Sequence, residues 1–182
     1  MIRPWKTLAS QLLIERKWLR VYQERVETGT GALIDEFHVV ESPDWAATIC
    51  VTTNHELVLV EQYRHGLGGL SLELPAGVIE DKEAVAEGAE RELLEETGYR
   101  GSPAQLFWST RPEPARGRSN AHFCIVRNAE EMQKQDLDDS EDLRVVLLPL
   151  RKLSEILKRM DHGLHIGALL YAQELGLLKR DS

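Results

Sequence analysis

The chain has 182 residues, enough for one domain of ordinary size with a small appendage. Its 30 acidic against 22 basic side chains leave a formal net charge of −8, which excludes non-specific binding to nucleic acid or to an anionic membrane but leaves room for a small phosphate-rich ligand. No apolar run approaches the ~18 residues of a membrane span.

The start, Met1-Ile2-Arg3-Pro4-Trp5-Lys6, lacks the apolar stretch of a secretory signal. Cys50 and Cys124 each sit in an apolar run. They read as buried thiols of a reducing cytosol rather than a disulfide or metal site, so a cytoplasmic protein is expected.

Residues 1–42 read as an N-terminal β-region. Residues 17–26 (KWLRVYQERV) alternate apolar and polar, Gly29-Thr30-Gly31 marks a turn, and residues 32–40 (ALIDEFHVV) form a second strand. His38 is a strand residue. Ser42-Pro43-Asp44 breaks the pattern, and residues 43–182 are expected as the main domain. Residues 45–52 (WAATICVT) are unbroken apolar chain, a buried strand. Asn54-His55 suits a tight turn before a further strand at 56–62, making a hairpin. Residues 66–69 form a flexible loop, and residues 70–74 lead into Pro75-Ala76-Gly77.

Residues 83–96 are mostly good helix formers, and Gly98 stands where a left-handed C-terminal glycine is favoured. Glu92, Glu95 and Glu96 fall at i, i+3 and i+4 and share a face, while Val85, Ala89 and Leu93 line a face that can be buried. The like-charge cost is about 0.2–0.5 kcal/mol per pair. A hard divalent cation such as Mg²⁺, which takes oxygen ligands, would reward keeping them together. Arg91 offsets part of the charge. Glu83, two turns earlier, is placed to pair with Arg91 and fix the entering loop, where Gly77 is free to take an unusual backbone angle. The alternative for any acidic trio is a solvated helix face.

Beyond Gly98 the pattern returns to strands at 105–110 and 121–126. Between them Arg111, Arg116 and Arg118 share a segment with Pro112 and Pro114. Arginines on a rigidified loop are suited to phosphate, with Arg116 the candidate taken; the alternative is a solvated loop. Residues 130–142 form an acidic loop, either solvated or completing a metal site or supplying a base. A strand at 143–148 and helices at 150–160 and 165–179 follow, with His162 and His165 expected as surface or cap residues. This mixture gives an α/β/α sandwich around a mixed sheet.

The full spacing runs from Gly77 through five residues to Glu83, then through seven to Arg91-Glu92-Leu93-Leu94-Glu95-Glu96-Thr97-Gly98-Tyr99. It resembles the signature of the Nudix hydrolases, departing only at Tyr99, where an aliphatic residue is usual. Gln62-Tyr63-Arg64, Glu73-Leu74-Pro75-Ala76-Gly77, Pro114 and Asp138-Asp139-Ser140-Glu141-Asp142 resemble segments of the ADP-ribose and nucleoside-diphosphate-sugar pyrophosphatases.

That resemblance implies the following. Glu92, Glu95, Glu96 and the carbonyl of Ala76 would hold Mg²⁺ or Mn²⁺, one to three ions. Glu141 would reach the metals or activate water. Asp139 stands at the position of a base but is one methylene short. Arg91 and Glu95 join the catalytic set. Arg64 and Glu73 would serve substrate phosphate and site organisation. Trp18 would stack on the base, from the other subunit of a homodimer. The implied reaction is hydrolysis of a nucleoside-diphosphate sugar to a nucleoside monophosphate and a sugar phosphate. Its rivals are hydrolysis of nucleoside triphosphates or dinucleoside polyphosphates, and a non-catalytic nucleotide-sugar sensor or scaffold.

Overall fold

The computed structural model of the chain describes residues 1–178. They fall into two compact units. One is Met1–Asp44 with Thr110–Asn120; the other is Trp45–Ser109 with the chain from Ala121 onward.

The first unit is an antiparallel sheet of β1 (Lys6–Arg16), β2 (Leu19–Glu27) and β3 (Leu33–Glu41), in that order. The two expected strands are β2 and β3. β1 was not foreseen, because Leu8-Ala9 and Leu12-Leu13-Ile14 do not alternate. Irregularities at Thr7/Ala9 and Leu12/Ile14 reset the register there. The arginine-bearing loop is laced onto this sheet. Val40 N–H donates to the Arg116 carbonyl at 2.9 Å and Arg118 N–H to the Val40 carbonyl at 3.0 Å. The Asn120 N–H and side-chain amide reach Asp44 at 2.7 and 2.9 Å. Arg118 donates to the buried Glu24 carboxylate at 2.6 Å.

The second unit holds a mixed sheet. Its order is β11 (Leu143–Pro149), β5 (Glu56–Arg64), β4 (Trp45–Thr52), β10 (Ala121–Glu131) and β8 (Tyr99–Arg100). β6 (Gly69–Glu73) pairs with β5, β7 (Ala76–Val78) with β4, and β9 (Gln105–Thr110) with β10. β4 and β10 run parallel, while β4 runs antiparallel to β5 and β7.

Both faces of the central strands are buried, which is why they read as unbroken apolar runs. Ala47, Ile49, Leu57, Leu59, Phe123 and Ile125 cluster with Leu153, Ile156, Ala168 and Leu169 of α2 (Leu153–Leu157) and α3 (Gly163–Glu174). On the other face Cys50, Val58 and Val126 meet Leu93, and Ala46 and Cys124 meet Ala89, both from α1 (Val85–Thr97). This is the expected α/β/α sandwich. Burial pushes the Cys50 thiol up to about 12 and the Cys124 thiol up to about 11, so both stay protonated and inert.

The helix expected at 150–160 is instead a 3₁₀ turn, Leu150–Lys152, followed by the short α2. The helix expected at 165–179 ends at Glu174, where Gly176 turns left-handed at φ 69°. Its expected end, Lys179, lies outside the described residues. Among those residues no helix is long and apolar enough to cross a membrane.

Candidate active site

α1 delivers the carboxylates because its opposite face is core: Ala89 and Leu93 are buried against the sheet. Its end is set by Gly98 at φ 76°, whose N–H donates to the Leu94 carbonyl at 2.8 Å. Glu87 reaches back to the Ala84 N–H at 3.3 Å at the other end.

Arg91 is the hub. It grips Glu83 through Nε at 2.8 Å and Nη2 at 3.0 Å, the expected pair in bidentate form. Nη1 reaches Glu92 at 2.9 Å and Glu95 at 3.0 Å, and Nη2 also donates to the Val78 carbonyl at 3.0 Å. One guanidinium therefore ties β7, the entering loop and the acidic face together. Two glycines make room for it. A Cβ on Gly88 would stand 2.8 Å from a Glu83 carboxylate oxygen, and one on Gly77 would overlap the Glu92 carboxylate. From sequence, Gly77 is expected to take an unusual backbone angle. It is not among the left-handed glycines; its role is space.

Glu96 is 4 % exposed and accepts the Ala76 N–H at 2.8 Å. Burial pushes its carboxyl up to about 8; the Ala76 N–H opposes this, and the charges of Glu92 and Glu141 add to it. Glu92 is also raised, first by burial and against its hydrogen bond to Arg91, with Glu95 and Glu141 adding. Glu141 is thus within electrostatic reach of both. Its loop is tied to the C-terminus of α1: Met132 N–H donates to the Gly98 carbonyl at 2.9 Å, the Gln135 amide to Glu96 O at 2.6 Å, and Asp136 N–H to Glu95 O at 2.9 Å. Glu141 and Asp138 cap each other's N–H at 3.0 and 2.9 Å.

Arg64 and Glu73 form the flank. Nε and Nη2 meet the two carboxylate oxygens at 3.0 and 2.7 Å. Burial alone would raise Glu73. Hydrogen bonds from Arg64 and Ser71, with the Arg64 charge, outweigh it and hold the carboxyl at about 2. The Arg64 side chain stays 46 % exposed, leaving donors for a ligand.

The second unit brings Arg64, Glu73, Ala76, Glu83, Arg91, Glu92, Glu95 and Glu96 together, with Glu141 near. Asp139 is exposed, and among the described residues no hydrogen bond or ion pair ties it to the cluster. Trp18 and Arg116 belong to the first unit. Trp18 is 55 % exposed, with the Lys17 ammonium 4.1 Å from its ring centroid. The Arg116 side chain is exposed. Among the described residues no three His, Cys, Asp or Glu side chains form a ready metal cage. Arg91 draws in Glu92 and Glu95 while Glu96 turns to Ala76. The donor set still suits a hard cation: the available ligands are oxygens, and the buried Glu96 and partly buried Glu92 carboxyls are raised partly by their neighbours' negative charge.

Two residues at the site are not among those expected from the sequence. Gln135 carries no pattern that marks it. His165, expected at the surface, is 1 % exposed, and its Nδ1 accepts the Leu74 N–H at 3.2 Å. Its spacing with Ala168, Leu169 and Ala172, all buried, puts it on the inner face of α3 and is the signal that would have found it.

Residues 43–166 match the family described as NUDIX domain, and residues 5–40 match that described as nucleoside diphosphate sugar hydrolase N-terminal domain. An ADP-sugar pyrophosphatase of Mus musculus is 34 % identical over 194 residues, covering 96 % of this chain and 88 % of the relative. An ADP-ribose pyrophosphatase of Bacillus subtilis is 28 % identical over 146 residues, covering 80 % and 78 %. A crystal structure of an ADP compounds hydrolase superposes with a TM-score of 0.85 at 19 % identity, covering 96 % of this chain and 95 % of that one, a likeness of fold.

Proposed function

Because the chain belongs to the NUDIX domain family, we propose that it hydrolyses the pyrophosphate bond of nucleoside-diphosphate sugars such as ADP-ribose or an ADP- or GDP-hexose. The observation that carries this is the joining of a buried carboxyl, Glu96, and a partly buried one, Glu92, to a half-exposed arginine, Arg64, in one unit. The names of the relatives from Mus musculus and Bacillus subtilis support the substrate class, as does the match over residues 5–40.

In this reading Glu92, Glu95, Glu96 and the Ala76 carbonyl hold Mg²⁺ or Mn²⁺, between one and three ions. Bound divalent ions neutralise the pyrophosphate oxygens and lower the pKa of water. Arg91 keeps Glu92 and Glu95 aligned until the ligands are engaged. Arg64, steadied by Glu73, turns its free donors to a substrate phosphate. Glu141 takes the proton of the attacking water, with Asp139 and Glu95 the other carboxylates of the set. The water oxygen bonds to one phosphorus as the bridging P–O bond breaks, giving a nucleoside monophosphate and a sugar phosphate. Positioning and charge stabilisation are most of what such a transfer needs. Arg116 adds a phosphate contact, and Trp18 a face for the base, supplied from a second copy in a homodimer. Exposed Leu8, Leu12, Leu13 and Ile14 on β1 support a partner surface. The acidic net charge and the two free buried cysteines support a cytoplasmic protein that binds neither nucleic acid nor membrane.

The test is product release from ADP-ribose, ADP-glucose, GDP-mannose, UDP-glucose, ATP and diadenosine polyphosphates, with Mg²⁺, with Mn²⁺ and with chelator. Metal-dependent nucleoside monophosphate from a diphosphate sugar is expected. Turnover confined to triphosphates or dinucleotides would move the substrate class. Tight sugar-nucleotide binding without turnover would make the protein a sensor.

A further inference from the structure

Four elements hold the connection between β6 and β7, one residue each. Arg64 of β5 grips Glu73. His165 of α3 accepts the Leu74 N–H at 3.2 Å. Thr48 of β4 donates its N–H to the Pro75 carbonyl at 2.9 Å. Glu96 of α1 accepts the Ala76 N–H at 2.8 Å. Three of these come from the sheet or from the acidic helix. His165 reaches in from the opposite helical layer.

The imidazole is an odd choice for that place by packing alone. It is 1 % exposed, stacks on His162 at 3.9 Å between centroids, and meets Trp45 and Phe123 edge-on at 5.7 and 6.1 Å. With the Leu74 N–H directed at Nδ1, the ring proton of the neutral imidazole belongs on Nε2. Nε2 is buried and has no hydrogen-bond partner among the described residues. Leaving such a donor unpaired costs stability. A leucine would fill the space without that cost. What the imidazole adds is an acceptor for a backbone N–H that would otherwise be orphaned two residues before Ala76.

We propose that His165 is a positioning residue for the metal and phosphate site. By accepting the Leu74 N–H it fixes the peptide run from Glu73 to Ala76. It thereby sets where the Ala76 carbonyl stands relative to Glu96, and where Glu73 holds Arg64. This rests on the reading above, in which the Ala76 carbonyl is a ligand. It adds a residue outside the signature, 91 positions from the amide it holds.

The test compares His165→Leu, which keeps bulk and removes the acceptor, with His165→Asn, whose amide oxygen replaces Nδ1. Mn²⁺ binding to the substrate-free protein is followed by electron paramagnetic resonance, and kcat and KM are measured separately. In His165→Leu, Mn²⁺ affinity and kcat are expected to fall about 10- to 100-fold with KM little changed, the scale of lost outer-shell support. His165→Asn is expected to recover most of both. Native Mn²⁺ affinity and kcat in folded His165→Leu would overturn the proposal, and so would equal impairment in both variants. Should His165→Leu fail to fold, the wild-type protein still decides. A ¹⁵N–¹⁵N coupling between the Leu74 amide and His165 Nδ1, with the proton on Nε2, is expected; a proton on Nδ1 would overturn it. Wild-type protein that binds Mn²⁺ but cleaves no diphosphate sugar would sink the functional reading alone, leaving the Mn²⁺ comparison to judge His165.

Discussion

The carboxylate of Glu92 occupies the space that a side chain on Gly77 would need. The strand and the acidic helix approach so closely there that a single methyl group has no place. Gly77→Ala must push Glu92 aside or part β7 from α1. The core under α1 is untouched, so the variant is expected to fold. Its kcat should fall about 10- to 100-fold, the usual scale of a displaced ligand. A folded variant with native kcat would show that Glu92 does not have to stand there.

Arg91 makes two bonds to Glu83 and one each to Glu92, Glu95 and the Val78 carbonyl. A lysine has one compact charged head and cannot reproduce that fork. Arg91→Lys should loosen the entering loop and cost about 1–3 kcal/mol in denaturant unfolding, since hydrogen bonds to charged groups are lost in a half-buried place. The metal concentration for half-maximal rate should rise in parallel. Unchanged stability would mean that the network is solvated more than its distances suggest.

Glu96→Gln keeps shape and keeps an acceptor for the Ala76 N–H. It removes a carboxyl that burial pushes up to about 8. In chelator above about pH 8 the melting temperature is expected to stay level or rise, because there the wild-type carboxyl is a buried charge that the amide removes. The rate is expected to drop by about 100-fold or more, and Mn²⁺ should stabilise the variant less than the wild type. Near-native kcat in Glu96→Gln or Glu92→Gln would sink the metal assignment.

Much of this site was legible because its chemistry lives on one helix. The i, i+3, i+4 placing of Glu92, Glu95 and Glu96 follows from helical geometry, which is local, and the Glu83–Arg91 pair spans only the short step from the entering loop onto that helix. The buried strands were legible from unbroken apolar runs. β1 was not, since its bulges break the alternation that marks a half-buried strand. His165 carried a signal in its helical spacing with Ala168, Leu169 and Ala172, but its place two residues after Gly163 resembles a cap, and its bond to Leu74 is a tertiary fact. Gly77 was picked out for the wrong reason: closeness between two elements is a tertiary fact, and a glycine in sequence shows only that something is unusual.

Glu73 contributes a pH dependence separable from the carboxylates of α1. Its folded carboxyl lies at about 2 against an ordinary 4.5, so between those values the unfolded chain holds the extra proton. The contribution is complete above 4.5 and is lost as pH falls toward 2. It amounts to about 3 kcal/mol in a side chain almost wholly buried. Urea unfolding of wild type and Glu73→Gln across that window should show the steeper loss in the wild type. Parallel curves would remove Glu73 from the acid-sensitive groups.

Arg116 and Arg118 stand two positions apart on one loop and are expected to part company in experiment. Arg118 holds the buried Glu24 carboxylate at 2.6 Å and lies 5.0 Å from the centroid of the Tyr22 ring. Arg118→Ala strips a buried charge of its partner and should destabilise the N-terminal sheet by about 1–3 kcal/mol, less than a fully enclosed pair because Arg118 is 43 % exposed. Arg116 lends its backbone carbonyl to Val40 and keeps its side chain in solvent. Arg116→Ala should therefore change stability by no more than about 0.5 kcal/mol. If its guanidinium takes a substrate phosphate, KM rises while the melting temperature holds. A KM indifferent to Arg116→Ala would leave Arg64 as the arginine that meets the substrate.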